Sequence, residues 1–300
     1  MTGNIRNINF LMIGGTTKAG TTSVYKYLSS HPQVCASNIK ETRFFLDEDY
    51  PLPRKNEFNR ELVGYAEHYP DQCLDQTKLH VEATPDYLYS SSAVMVSDLL
   101  PAAKIIFILR DPVDRLVSWY KFAKQRGVLD CEVGFNEYVT TQFNTGIEKA
   151  TPLHLRALEQ GRYMTYLARF LEKMPDRVLV LHYDILKNNP TEFMRTVCMF
   201  AGLDFGCYKD YAYSVENKSK KVKSQFVERL YNTLRRGVAY RAAQNKHLLR
   251  IFRICNAPLK RLMESNREAS EDVHMPDRLR RQLTEYYRNE MVFIEKLQKE

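Results

Sequence analysis

A glycine-rich turn set between an apolar strand and an amphipathic helix constrains this chain more than any other stretch: Gly14-Gly15-Thr16-Thr17-Lys18-Ala19-Gly20-Thr21-Thr22. Upstream, Ile8, Phe10, Leu11, Met12 and Ile13 form a short apolar run ending in glycines, as a buried strand does. Downstream, Val24, Tyr27 and Leu28 recur at helical spacing until His31-Pro32 stops the turn. The glycines let the backbone approach a ligand closely. The first N–H groups of the helix lack intrahelical partners and face whatever lies above them. Lys18, Thr21 and Thr22 add a cation and two hydroxyls. The segment therefore reads as a cradle for a phosphate-like anion.

The position of the lysine bears on which anion. A nucleoside-triphosphate loop reads G-x-x-x-x-G-K-[ST], with the lysine after the second glycine so that it reaches the outer phosphates. Gly15 and Gly20 have that spacing, but Thr21 occupies the lysine position and Lys18 lies inside the loop. A kinase using ATP and magnesium is thus the weaker reading, and a bare structural turn is the bland one.

A second anion site is legible further along the chain. Lys104-Ile105-Ile106-Phe107-Ile108-Leu109 is a continuous apolar run of the kind buried on both faces in parallel sheets. It leads into Arg110-Asp111-Pro112, where Asp111 reads as an N-cap and Pro112 as the first helical residue. The helix continues through Leu116, Ser118, Trp119 and Tyr120 to a stop at Gly127. Arg110 is expected at the carboxyl end of a central strand, the edge where open parallel sheets bind ligands, and its planar fork suits a phosphate. Arg115 reads as an ordinary helix-start arginine pairing with Asp111 or Asp114.

With these residues in place, the chain resembles sulfotransferases that use 3'-phosphoadenosine 5'-phosphosulfate (PAPS), over nearly its whole length. The resemblance implies an α/β, P-loop-like three-layer fold: a central parallel sheet flanked by helices, with a helical C-terminal part. It implies that Lys18, Ala19, Gly20, Thr21, Thr22 and Ser23 hold the 5'-phosphosulfate and that Arg110 and Ser118 hold the 3'-phosphate. PAPS is then the donor, 3'-phosphoadenosine 5'-phosphate the product, and no metal is required. Lys40-Glu41-Thr42-Arg43-Phe44-Phe45 is similar to the Lys-Glu-x-x-Phe-Phe segment of the heparan sulfate 3-O- and N-sulfotransferase branch and its bacterial relatives, whose glutamate is taken as catalytic base. Val81-Glu82-Ala83-Thr84-Pro85-Asp86-Tyr87 resembles the branch's Val-Glu-Lys-[Ser/Thr]-Pro-x-Tyr stretch. Ala83 replaces a lysine of those enzymes and Arg43 a histidine of the 3-O enzymes. A small sugar-bearing, aliphatic or phenolic metabolite is accordingly the expected acceptor rather than a polymer, with an amine left open.

The resemblance assigns Glu41 as general base and Lys18 as the cation aimed at the leaving phosphate. On the residues alone, Glu41 between Lys40 and Arg43 reads first as a solvated ion-pair member. Of seven histidines, His31 and His182 read as structural, and the other five have no motif to recommend them.

Composition fits an enzyme. At 300 residues with 44% hydrophobic and 27% charged, the chain can bury one large core, and a single domain over 1–300 is expected. No run approaches the roughly eighteen apolar residues of a membrane span, and the chain opens on a strand rather than a secretory leader. Six cysteines show no C-x-x-C pairing. These features point to the cytoplasm. Residues 214–267 hold 14 Lys or Arg against three Asp or Glu. That surplus of 11 in a chain totalling +8 leaves the remainder at −3. The stretch opens on Lys218 and Ser219, resembling the late loop that closes over the nucleotide in this family. Beyond it, Phe226, Leu230, Leu234, Leu248 and Phe252 keep a helical rhythm, predicting basic surface helices. A dock for an acidic substrate or for an anionic membrane surface is the sharper reading of that face, and a non-enzymatic membrane or nucleic-acid module the remaining alternative; no nucleic-acid partner is expected of the enzyme. Residues 46–75 and 128–155 read as loop-rich walls, and 276–297 as one amphipathic helix.

Overall fold

The computed structural model describes residues 5–70, 73, 78–148, 151–214, 220–222, 267–269 and 273–297. Strands β1 (Phe10–Gly15), β2 (Val34–Ala36), β3 (Leu79–Glu82), β4 (Lys104–Leu109) and β5 (Val178–His182) form one sheet in the order β2-β3-β1-β4-β5, every pair parallel. β1 and almost all of β4 are buried, which is why both read as unbroken apolar runs.

Alternate residues of these strands feed two cores. Met12, Ile105 and Phe107 pack with Leu167 and Phe170 of helix α6 (Tyr163–Lys173) on one face. Leu11, Ile13, Ile106 and Ile108 pack on the other with Val24 and Leu28 of α1 (Thr21–Ser29) and Phe193 and Val197 of α8 (Pro190–Ala201). The result is a three-layer α/β architecture. The chain leaves β1 for β2 and β3 on one side and reaches β4 and β5 on the other. The order therefore switches between β1 and β4, where a crevice opens beyond the strand ends.

The remaining helices among the described residues are α2 (Ser91–Val94), α3 (Val96–Leu99), α4 (Pro112–Gln125), α5 (Phe135–Asn144), α7 (Tyr183–Asn188), α9 (Asp277–Tyr286) and α10 (Arg288–Leu297). α4 starts as its sequence demands: the Asp111 carboxylate accepts the Asp114 N–H at 2.8 Å and Pro112 follows. α8 is built alike, with Asn189 accepting from Glu192 N at 3.2 Å and the chain leaving through Gly202 at φ 74°.

Two expectations are corrected. The C-terminal stretch is two helices, because α9 sends Leu279 and Leu283 into the cluster around α4 and α5 while α10 sends Ile294 into the core beneath the sheet. One straight helix cannot reach both, and the break falls at Tyr287, itself fully buried. The 128–155 wall also contains the helix α5, anchored by buried Tyr138 and Val139. The stretch beginning at residue 46 is loop-rich as expected, with one short helical turn at Ala66–His68. Most of 214–267, including Lys218, Ser219 and the expected basic helices, lies outside the described residues. At its margins β6 (Lys220–Val222) and β7 (Arg267–Ala269) pair antiparallel.

Candidate active site

The turn after β1 is fastened at both ends. Thr16 N donates to Ile108 O at 2.9 Å, tying it to the end of β4. Thr16 Oγ1 lies 2.5 Å from the Tyr89 hydroxyl, which donates to Gln160 O at 3.0 Å. Gly20 closes the turn at φ 80°, a left-handed conformation that strains any other residue, and a Cβ there would also press Leu186 Cδ2 aside at 2.6 Å. As the N-cap of α1 it brings no side chain to the first amides, which stay available to a ligand. Lys18 Nζ sits 4.4 Å above the Phe122 ring. Burial, reinforced by Arg110 and Arg126, lowers its pKa to about 8. Cations are crowded here.

Arg110 stands at the end of β4 and meets that turn. Its Nη1 is 3.5 Å from Lys18 O and its Nη2 3.2 Å from Asp114 Oδ2, with Cζ 5.0 Å from the Tyr183 ring centre. Its main chain is held by the Tyr163 hydroxyl, which donates to Arg110 O at 2.9 Å. Its Nε is buried with no partner among the described residues. Ser118 is buried one helical turn beyond Asp114, on the flank of α4 that Arg110 engages. The pairing expected of Arg115 thus belongs to Arg110. Arg115 turns inward instead, its Nη1 donating to Thr17 Oγ1 at 3.2 Å.

Across β1, the Lys40–Phe45 segment lies along the exit of β3. Ala83 N donates to Lys40 O at 2.8 Å and Arg43 N to Thr84 Oγ1 at 3.1 Å. The buried Glu82 carboxylate accepts five hydrogen bonds: from Thr42 N and Oγ1 and Thr84 Oγ1 on one oxygen, and from Tyr65 and Tyr87 hydroxyls on the other, at 2.6 to 3.3 Å. Burial still lifts its pKa against those bonds. Glu41, held on this frame, faces partly outward. Its Oε1 is 2.9 Å from Lys40 Nζ and its Oε2 2.8 Å from Arg43 Nη2. Burial pushes its pKa up, but the two cations outweigh that and hold it below the usual carboxylate range. A cavity of about 410 Å³ opens here, lined by Lys40, Glu41, Arg43, Pro53, Arg54 and Lys55, so the loop-rich stretch from residue 46 forms its wall.

Beneath Glu41, Asp86 is buried and accepts the Tyr50 hydroxyl at 2.6 Å. Burial is the main force raising its pKa to about 6, with Glu41 adding to it and Tyr50, Arg43 and Lys40 opposing. Sequence reading missed Glu82, Asp86 and Arg115 as working groups. The signal for the first two was an acidic pair in the stretch after a short strand, and for the third the i,i+4 step from Asp111, which mimics an ion pair. His31 and His182 do serve structure: His31 Nε2 is 2.8 Å from Asp204 O, and His182 Nδ1 accepts Asp184 N at 3.2 Å.

Comparison with known proteins bears on this arrangement. A family model for the sulfotransferase domain matches residues 9–298. The chain is similar to the bifunctional heparan sulfate N-deacetylase/N-sulfotransferase 1 of Mus musculus, 30% identical over 196 residues that cover 64% of this chain and 22% of that protein. It is likewise similar to the human bifunctional heparan sulfate N-deacetylase/N-sulfotransferase 2, 29% identical over 212 residues with the same coverages of 64% and 22%. The chain spans about 22% of the length of these curated relatives. Among solved structures, a sulfotransferase from Alicyclobacillus acidocaldarius shares the fold, with a TM-score of 0.58, 22% identity, and coverage of 77% of this chain and 93% of that one.

Proposed function

The chain belongs to the sulfotransferase family, and on that premise we propose that it moves the sulfuryl group of PAPS to a hydroxyl of a small-molecule or sugar-bearing acceptor, with Glu41 as general base. The observation that carries this reading is the meeting of the Lys18 turn and Arg110 at the switch point of the sheet, Nη1 of one 3.5 Å from the carbonyl of the other. The residues present suit the donor. Arg110 Nε is buried and unpartnered among the described residues, and Lys18 is crowded by two arginines, a surplus of positive charge that a bound bisphosphate relieves.

In this reading Lys18, Ala19, Gly20, Thr21, Thr22 and Ser23 hold the 5'-anion, while Arg110 and Ser118 hold the 3'-phosphate. Lys218 and Ser219, outside the described residues, are assigned to the same nucleotide. When bound, PAPS supplies an activated sulfuryl group on a phosphate leaving group. The protein's part is to position and to stabilise charge, as in phosphoryl transfer. Lys18 stabilises the negative charge that builds on the leaving side. Glu41 takes the proton of the attacking hydroxyl; Lys40 and Arg43 keep it ionised at neutral pH, at some cost in basicity. No metal enters the proposal. A single domain over residues 1–300 and a cytoplasmic home belong to it.

Calorimetry decides against the alternatives. 3'-Phosphoadenosine 5'-phosphate is expected to bind more tightly than ADP and without magnesium. Magnesium-dependent preference for ATP would replace this reading with a kinase. Binding of neither nucleotide, with steep salt dependence toward anionic vesicles or nucleic acid, would replace it with a non-enzymatic basic module. An amine acceptor is the second reading, favoured by the N-sulfotransferase names of the curated relatives. Sulfur-labelled PAPS with paired alcohol and amine acceptors separates the two.

A further inference from the structure

Arg115 has no exposed surface, yet no carboxylate pairs with it among the described residues. Besides Thr17, it donates through Nη2 to Ala157 O, and its Nε has no partner among the described residues. Tyrosines 89, 138, 163 and 287 surround it, the Tyr163 ring centre 5.9 Å from its Cζ. A buried cation without a counter-ion is expensive, and a fold that needed only packing there would be served by an apolar side chain. A guanidinium is the cation that tolerates such a site best, because its charge is dispersed and weakly hydrated.

What the charge touches is the anion turn. Thr16 and Thr17, the two residues before Lys18, are each tied to the 157–160 segment: Thr16 through Tyr89 to Gln160 O, and Thr17 through Arg115 to Ala157 O. That segment is itself held, with Leu158 N donating to Gln142 Oε1 at 2.8 Å and the Tyr287 hydroxyl donating to Leu158 O at 2.6 Å. We propose that Arg115 is a positioning residue for the donor's 5'-anion, fixing Thr17 and placing behind the turn a positive charge whose counter-ion is the ligand. This rests on the reading of the turn as the 5'-site.

The test is titration calorimetry of the full chain with two nucleotides, adenosine 3',5'-bisphosphate and adenosine 3'-phosphate, which lacks the 5'-anion. Arg115→Met is expected to weaken the bisphosphate about 10- to 100-fold, the scale of a lost charge-assisted hydrogen bond, and to leave the 3'-phosphate within about twofold. Arg115→Lys recovers most of the loss. Thr17→Val, which removes the receiving hydroxyl but keeps the Arg115 guanidinium and its bond to Ala157 O, weakens the bisphosphate alone by a smaller factor. Combined with Arg115→Met it adds nothing further. Equal weakening of both nucleotides, unchanged bisphosphate binding, or additive losses in the double variant would overturn the proposal; should Arg115→Met fail to fold, an unchanged bisphosphate affinity in Thr17→Val does so on its own. If the unsubstituted protein binds neither nucleotide, the 5'-site reading falls first and this proposal with it.

Discussion

On the β4 side of β1, positive groups are gathered and, among the described residues, left partly unanswered: Lys18 with its lowered pKa, Arg110 with an unpartnered Nε, Arg115 with no acid paired to it. On the β3 side the carboxylates are answered within the protein, Glu82 by five hydrogen bonds and Glu41 by two ion pairs, while Arg43 Nε shares with Arg110 Nε the lack of a partner among the described residues. Unanswered charge marks where a ligand completes the electrostatics, whereas answered charge marks a frame that is rigid before anything binds. In the proposed function the first region receives the anionic donor, and the second presents the Glu41 carboxylate, held by its ion pairs, to the acceptor.

Glu41→Gln tests that division hardest. If the carboxylate takes the acceptor's proton, turnover falls about 100- to 10,000-fold while bisphosphate affinity measured by calorimetry stays unchanged. Unchanged turnover would make Glu41 an ion-pair member only and move catalysis to the other side of β1. Lys18→Ala comes next. By analogy with removal of one preorganised oxyanion donor, it should raise the barrier by about 3 to 4 kcal/mol, about 100- to 1000-fold in single-turnover rate. A loss confined to donor affinity would mean that Lys18 binds the ground state and transition state alike.

The smallest effect concerns Asp86, a buried acid on the β3 side with the Tyr50 hydroxyl as its donor. Its folded pKa of about 6 lies above its ordinary 3.8, so the folded state holds the proton more tightly than the unfolded one. The associated stability is full below the ordinary value and disappears as pH rises through about 6. Asp86→Asn, which still accepts the Tyr50 hydroxyl, should therefore stabilise the protein at pH 8 by up to about 3 kcal/mol in urea titrations and change nothing near pH 3.5. A gain at both pH values would trace the effect to packing, and a loss at pH 8 would show that the ionised carboxylate is answered after all.

The same division explains what the sequence disclosed. The Lys18 turn and Arg110 were legible because each sits where an apolar strand meets the start of a helix, and both signals are local. Their convergence required only that β1 and β4 be neighbours in a parallel sheet. The β3 side was readable only through the likeness of the Lys40–Phe45 and Val81–Tyr87 segments to the family. Its geometry depends on Thr42, Tyr65, Thr84 and Tyr87 meeting at Glu82 from scattered positions, and no spacing rule brings them together. Arg115 misled for a related reason. Four residues after Asp111 it reads as a surface ion pair, and only its tertiary surroundings turn it inward.

The break at Tyr287 has a reach that its distance along the chain disguises. Its hydroxyl grips Leu158, whose neighbours Ala157 and Gln160 anchor the two threonines ahead of Lys18. The last pair of helices is in this sense a foundation stone of the proposed nucleotide pocket. Trimming the protein upstream of that tyrosine would loosen the pocket from behind without removing a single residue that faces it.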